Sequence, residues 1–191
     1  MEYRFTVPLK KDDIIQLRAG DIVYLSGKVF TARDEAHARI IEMAKNEQKL
    51  PFDLAGAVIY HCGPLIKEGD SGWEVVAAGP TTSARMSRMT PEILAIHGIH
   101  AFVGKGGMEN VTEAMQNKAV YLAFTGGCAA LAAIGIESVV SVHWLDLGMP
   151  EAVWELELKD FGPLVVGIDA HGNDMFLDVR NKAMLAYSMI E

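Results

Sequence analysis

Two short segments of the chain place small or hydroxylated residues beside a single cation. They are Gly79-Pro80-Thr81-Thr82-Ser83-Ala84-Arg85-Met86 and Gly104-Lys105-Gly106-Gly107-Met108. Each follows an apolar run and precedes a predicted helix, where free backbone N–H groups and the positive end of a helix dipole favour an anion. Two such segments about twenty residues apart predict a site for a ligand with two negative groups. A small dicarboxylate is the simplest candidate.

The first segment has a functional and a structural interpretation. Gly79-Pro80 can form a tight turn, Thr81-Thr82-Ser83 offers hydroxyls and backbone N–H groups, and Arg85 adds a planar fork suited to a carboxylate. A capped surface helix whose arginine meets solvent explains the same residues, because such caps are common. Both interpretations stay open at this point.

The second segment surrounds Lys105 with three glycines, so a ligand could approach the backbone closely while the ammonium meets an anion. The Gly-Lys-Ser/Thr ending of a P-loop and the Gly-x-Gly-x-x-Gly dinucleotide fingerprint are both missing. A plain strand-to-helix turn is the alternative, since glycine often marks turns.

A third cation, Arg33, opens the first long predicted helix, where a positive charge is unfavourable unless an anion compensates it. Asp34 and Glu35 could supply that compensation, and so could a substrate carboxylate. His37 is the histidine expected nearest this site, although a surface position is the more common outcome. Further along the chain, Glu151 and Asp160 are candidates to brace basic site residues.

Composition excludes several classes of function. The formal net charge of -8 opposes binding to nucleic acid or to an anionic membrane, both of which require a basic face. No signal peptide is visible, and the most apolar region, 119–145, is interrupted by glycines, Glu137 and His143, so no membrane span is expected.

The two cysteines, Cys62 and Cys128, make no disulfide framework and fit a reducing cytoplasm. The histidines show no zinc-ligand spacing, and two cysteines cannot supply the three or four thiolates that an iron–sulfur cluster usually needs. We therefore expect no metal ligands in this chain.

The elements that must position these residues form a single α/β domain over 1–191. The middle alternates strands and helices, which predicts a mixed, partly parallel sheet flanked by helices. We expect a hairpin of strands 21–25 and 28–31, a helix over 108–118, separate strands over 153–158 and 164–168, and a terminal helix over 174–189.

Taken together, the motifs resemble the β subunit of class I (iron–sulfur) fumarate hydratase and of the closely similar L(+)-tartrate dehydratase. In single-chain enzymes the same unit is the C-terminal domain. The resemblance covers about residues 10–165 and is carried, in this order, by Gly20-Asp21, Leu25-Ser26-Gly27, Ala32-Arg33-Asp34 with His37, Gly63-Pro64, Gly79 to Met86, Gly104 to Met108, Gly126-Gly127, and Leu147 to Trp154.

This resemblance implies a swivelling β/β/α domain that closes over a partner α subunit. The partner would bind a [4Fe–4S] cluster through three cysteines, with one iron open to substrate. Substrate contacts from this chain would fall on Arg33, Thr81, Arg85 and Lys105, the last three also serving catalysis. The implied reaction is the reversible hydration of fumarate to (S)-malate in the tricarboxylic acid cycle, by a cytoplasmic dimer of heterodimers. The alternatives are a tartrate dehydratase β subunit and a non-catalytic dicarboxylate-binding module.

Overall fold

The computed structural model describes residues 1–69 and 72–189. Its strands are β1 (Glu2–Val7), β2 (Ile22–Thr31), β3 (Val58–Tyr60), β4 (Leu65–Gly69), β5 (Gly72–Ala77), β6 (Ala101–Gly104), β7 (Val120–Ala123), β8 (Ile136–His143) and β9 (Val153–Ile168). Its α-helices are α1 (Lys11–Ile15), α2 (Asp34–Lys45), α3 (Thr90–Ile96), α4 (Thr112–Met115), α5 (Ala129–Ile134) and α6 (Met175–Ser188), and 3₁₀ turns occur at Ser83–Met86 and Leu145–Leu147.

Seven of these strands form one mixed sheet in the order β1-β2-β3-β6-β7-β9-β8. Neighbours from β1 to β7 run parallel, whereas β9 is antiparallel to β2, β7 and β8. Because β9 pairs with both β2 and β7, strands β2, β3, β6, β7 and β9 form a closed ring. The prediction of an α/β fold with a mixed, partly parallel sheet and flanking helices is confirmed.

The central parallel strands are apolar on both faces, as expected for a sheet covered on both sides. Their side chains alternate between two cores. Tyr60, Val103 and Leu122 belong to the core shared with β9, whereas Phe102 and Tyr121 pack in the core beneath α2 and α3. This alternation fixes the register of the short strands and places their carboxyl ends at one edge of the sheet.

Two strand boundaries were predicted wrongly. The segment expected to be a hairpin around Ser26-Gly27 is the single strand β2, and the two strands expected between 153 and 168 are the single strand β9. Gly27 has φ +94°, and a Cβ there would lie 2.8 Å from the Val7 carbonyl oxygen. The glycine therefore allows β1 to approach closely and does not reverse the chain.

The helix predicted over 108–118 is also shorter than expected. Only α4 is helical, and Asn110 before it has φ +56°, a left-handed conformation that interrupts a helix. The predicted terminal helix is confirmed as α6, whose N-cap Asp174 accepts hydrogen bonds from the amides of Phe176 and Leu177. Within residues 1–69 and 72–189, none of the helices is both long and apolar enough to cross a membrane.

Candidate functional site

The parallel strands β2, β3 and β6 end side by side, so the segments that follow their carboxyl ends meet at one edge of the sheet. Arg33 lies two residues beyond β2, and Lys105 directly follows β6. The segment around Thr81 crosses between them. Thr81 N donates to His61 O (2.7 Å), Lys105 N donates to Thr81 O (3.2 Å), and Ser83 N donates to Lys105 O (3.1 Å). These backbone bonds hold the two glycine-containing segments side by side.

Arg85 joins this segment to the start of α2. Its Nη1 donates to Thr81 Oγ1 (3.3 Å) and its Nε donates to Asp34 Oδ1 (3.1 Å), while its Nη2 forms an ion pair with the same carboxylate. Asp34, which was considered as compensation for Arg33, pairs with Arg85 instead. Because Asp34 directly follows Arg33, this pair also brings Arg85 beside the third predicted cation.

Arg33 is held by Glu151, one of the two acids that the sequence analysis proposed as supports for a basic site residue. Its Nη2 lies 3.2 Å from Glu151 Oε1, and the other oxygen of Glu151 accepts from the amide of Glu35. A Cβ at Gly63 would lie only 2.6 Å from Arg33 Nη1, so glycine makes room for the guanidinium. The expected pairing of Glu151 with a basic residue is confirmed at Arg33.

Asp160, the other predicted brace, lies elsewhere. Its Oδ1 is 3.6 Å from the Nε of Arg4, near the amino terminus. The prediction that Asp160 supports a site cation is therefore wrong, because the continuous strand β9 carries it away from the edge that holds Arg33.

Lys105 is half-buried and has no ion pair within residues 1–69 and 72–189. Its aliphatic stem passes Gly126, where a Cβ would lie 3.3 Å from Lys105 Cδ.

The site thus contains three cations and two carboxylates, which leaves one net positive charge. The structure brings Arg33, Thr81, Arg85 and Lys105 to one edge, and their roles in substrate binding and catalysis stay predictions.

Two buried histidines, His37 and His61, lie beneath this edge, and the sequence analysis predicted the burial of neither. His37 was expected at the surface, but it is fully buried, as is His61, and their ring centroids are 5.2 Å apart. His37 Nδ1 donates to the carbonyl oxygen of Arg33 (2.8 Å). The apolar run that precedes His61 was the available signal that this histidine would be buried.

Burial removes water from both imidazoles and therefore disfavours their charged forms. It lowers the pKa of His37 to about 4. Burial also places the pKa of His61 well below its ordinary value, and the neighbouring His37 lowers it further. Both rings are therefore neutral at pH 7 and can only act as hydrogen-bonding groups there.

The described residues do not fit a metal cluster. No group of three or more His, Cys, Asp or Glu side chains in 1–69 and 72–189 is arranged to hold a metal ion. Cys62 is buried, and burial raises the pKa of its thiol. Cys128, the N-cap of α5, is also a free cysteine.

A cavity of about 610 Å³ lies beside the site, between the 106–113 segment and α6. Gly107, Glu109, Phe176 and Arg180 are among the residues that line it. None of the four predicted site residues does. The predicted site residues therefore lie beside this partly open cavity and do not line it.

Comparison with known proteins identifies relatives over nearly the whole chain. The family model described as Fumarase C-terminus matches residues 4–179. The chain is 52% identical over 185 residues to a Methanocaldococcus jannaschii protein provisionally named L(+)-tartrate dehydratase subunit beta, covering 95% of this chain and 94% of that protein. It is 42% identical over 188 residues to the L(+)-tartrate dehydratase subunit beta of Escherichia coli strain K12, covering 97% and 91%.

A third relative is a much longer protein. The chain is 40% identical over 180 residues to a Geobacillus stearothermophilus protein provisionally named fumarate hydratase class I. The match covers 93% of this chain but 34% of that protein. The same unit therefore occurs both as a chain of about this length and as part of a larger protein.

Proposed function

Because the chain belongs to the fumarase C-terminus family, we propose that it is the β subunit of a two-subunit hydro-lyase acting on a four-carbon dicarboxylate. The reaction proposed first is the reversible hydration of fumarate to (S)-malate. The observation that carries this proposal is the meeting of Arg33, Thr81, Arg85 and Lys105 at one sheet edge, although they come from three separate segments of the sequence.

The charges of the site support a half-site that a partner completes. Glu151 and Asp34 neutralise two of the three cations, so a substrate with two carboxylates meets one net positive charge. A substrate with two negative charges that is transferred out of water needs more than one positive charge nearby. We infer that the partner α subunit supplies the remaining positive charge and covers the open edge.

Exposed apolar side chains support the existence of a partner. None of the described residues of α6 is buried, and Met184, Leu185 and Tyr187 are 66%, 67% and 62% exposed. A helix with apolar residues on several sides is normally covered in a folded assembly. Phe176, in the first turn of α6, packs against Gly107 of the site segment, so this apolar surface begins next to the site. The proposed assembly is a dimer of heterodimers.

Hydration adds hydroxide at one carbon of fumarate and a proton at the next. Negative charge accumulates on the carboxylate beside the carbon that gains the proton. Lys105 and Arg33 would stabilise that charge, and Arg85 would share its guanidinium between Asp34 and the substrate. Fixed donors aimed at developing charge matter greatly, since losing one typically costs about 10²–10³ in rate.

Thr81 is the proposed proton-transfer residue. Its Oγ1 accepts a hydrogen bond from Arg85, so its own proton stays free to be donated towards the substrate. A threonine hydroxyl is a poor base, and taking the proton back requires an acidic or basic group nearby. We place that group in the partner subunit.

The [4Fe–4S] cluster implied by the resemblance would also belong to the partner, because the described residues of this chain do not fit one. The contribution proposed for this chain is carboxylate binding, charge stabilisation and proton transfer. Dehydration of L(+)-tartrate is the second candidate reaction, favoured by the names of the Methanocaldococcus jannaschii and Escherichia coli relatives.

An anaerobic reconstitution tests the proposal. The chain is mixed with its candidate cluster-bearing subunit, turnover of fumarate and L-tartrate is followed side by side, and each subunit alone serves as control. Fumarate turnover only in the mixture is the expected result. Turnover of L-tartrate alone would establish the second candidate. Saturable dicarboxylate binding by a monomer, with no turnover in the mixture, would replace both with a binding module.

A further inference from the structure

We propose that Ser83 is a positioning residue, whose buried hydroxyl holds Thr81 and Lys105 in a fixed relation through a hydrogen-bonded chain from His61 to Tyr121. The inference rests on the function proposed above and adds a residue that touches no reacting atom. Ser83 is fully buried, so the substrate cannot reach its hydroxyl.

The chain of contacts runs beneath the site from one strand end to another. Ser83 Oγ lies 2.9 Å from His61 Nδ1 and 3.1 Å from the Tyr121 hydroxyl. The Tyr121 hydroxyl in turn lies 2.7 Å from the carbonyl oxygen of Gly106. His61 and Tyr121 are fully buried as well, so these contacts do not compete with water.

The carbonyl oxygen of Gly106, the last member of this hydrogen-bonded series, determines which group donates in each of its hydrogen bonds. Gly106 O can only accept, so Tyr121 donates its single hydroxyl proton to it. Ser83 then donates to the Tyr121 oxygen and accepts from a protonated Nδ1 of His61. This leaves Nε2 of His61 as a lone pair, and that buried atom has no partner among the described residues. The depressed pKa of His61 agrees with a neutral ring.

The hydroxyl of Ser83 is tied to both proposed catalytic segments through its own backbone and its neighbours. Ser83 N donates to Lys105 O, and the Tyr121 contact fixes Gly106 on the other side of the lysine. The amide of Thr81 donates to the carbonyl oxygen of His61, the residue whose ring holds the hydroxyl. Losing the hydroxyl would therefore loosen Thr81 and Lys105 together.

Gly104 provides the space for this arrangement. A Cβ at Gly104 would lie 1.8 Å from Ser83 Oγ, far inside van der Waals contact. The glycine that ends β6 thus allows the hydroxyl to sit directly against the strand that delivers Lys105.

The test compares Ser83→Ala with Ser87→Ala in the reconstituted complex. Ser87 is a matched control because it is also buried and its Oγ accepts from a backbone amide, that of Glu109 (3.0 Å), outside the chain of contacts. Ser83→Ala should lower kcat about 10- to 100-fold, as expected for misplaced catalytic groups, with a smaller change in KM. Ser87→Ala should leave kcat near wild type.

A Tyr121→Phe variant removes only the next hydroxyl. If the three groups act as one unit, the double variant Ser83→Ala/Tyr121→Phe should lose no more kcat than the more affected single variant. Equal kcat in Ser83→Ala and Ser87→Ala, at comparable loss of stability, would overturn the proposal.

Nuclear magnetic resonance of the full chain gives a second readout that does not need activity. Long-range proton–nitrogen spectra should show the proton of His61 on Nδ1, and Ser83→Ala should shift the amide signals of Thr81, Lys105 and Gly106 while Ser87→Ala does not. If the wild-type complex turns over neither substrate, the proposed function fails and these spectra decide on Ser83 alone. Unchanged signals in Ser83→Ala, or a proton on His61 Nε2 in the wild type, would overturn the positioning role.

Discussion

Ion pairing decides which cations of the site are available to an anionic ligand. Arg33 is held by Glu151 and Arg85 by Asp34, whereas Lys105 has no ion pair within residues 1–69 and 72–189. Partly exposed pairs of this kind contribute only about 0–1 kcal/mol to stability. Their main effect here is to orient the guanidinium groups, so removing a site cation should affect catalysis far more than folding.

Lys105→Ala and Arg85→Ala should each lower turnover of the reconstituted enzyme by at least about a hundredfold, because each removes charge aimed at the developing carboxylate charge. Arg88→Ala is the matched control, since Arg88 is an exposed arginine three residues beyond Arg85. Steady-state kinetics measure the effect, and circular dichroism checks that the variants fold. Near-normal activity in both site variants would show that these residues were assigned wrongly.

The 3₁₀ turn Ser83–Met86 packs directly against the end of β6, so the position of each element depends on the other. The turn crosses the strand so closely that only a hydrogen atom fits on the Cα of Gly104. The same crossing places Arg85 one turn from Thr81 and Lys105 at the end of its strand. A side chain at this crossing would push apart the two elements that carry the site.

Gly104→Ala should therefore destabilise the fold by about 1–3 kcal/mol, the usual cost of overpacking a core. Gly98→Ala is the control, because a Cβ there would lie 3.8 Å from Ala55 and 3.9 Å from Gly56, which is ordinary contact. Urea unfolding followed by circular dichroism gives the free energy of unfolding of each variant. Equal stability of the two variants would show that the turn and the strand can separate at little cost.

The whole molecule encloses its two buried histidines between the sheet and α2, which couples its stability to pH. The pKa of His37 falls to about 4 in the folded chain, against an ordinary value of about 6.5. The unfolded chain therefore binds more protons between these two values, and stability falls as pH drops through that window. The lowered pKa of Asp169 acts at lower pH: burial alone would raise it, but hydrogen bonds from Asn173, Ala19 and His171 outweigh burial.

The contribution of His37 predicts a loss of stability on the order of 2 kcal/mol between pH 7 and pH 5. His37→Gln should remove the share of His37 from the dependence of unfolding free energy on pH in this range and leave the share of the buried His61, whereas His171→Gln, at an exposed position, should leave the dependence unchanged. Urea unfolding at pH 5, 6 and 7 measures both slopes. An undiminished wild-type slope in His37→Gln would mean that His37 does not contribute to the acid sensitivity.

The sequence alone identified the family, the α/β class and the four residues that meet at the site. These features are visible locally: glycines and prolines mark turns, apolar runs mark buried strands, and an isolated cation beside glycine stands out in an acidic chain. The family match over residues 4–179 also extends beyond the 10–165 range that the motifs suggested.

Only the tertiary structure decided how these residues are supported. Ser26-Gly27 continues a strand because β1 and β9 pair along both of its sides, and no local signal contains those neighbours. The pairing of Arg85 with Asp34 and the burial of Ser83 against His61 and Tyr121 join residues that lie far apart in the chain. Local spacing determines which groups are present, whereas long-range packing determines which of them meet and which are shielded from water.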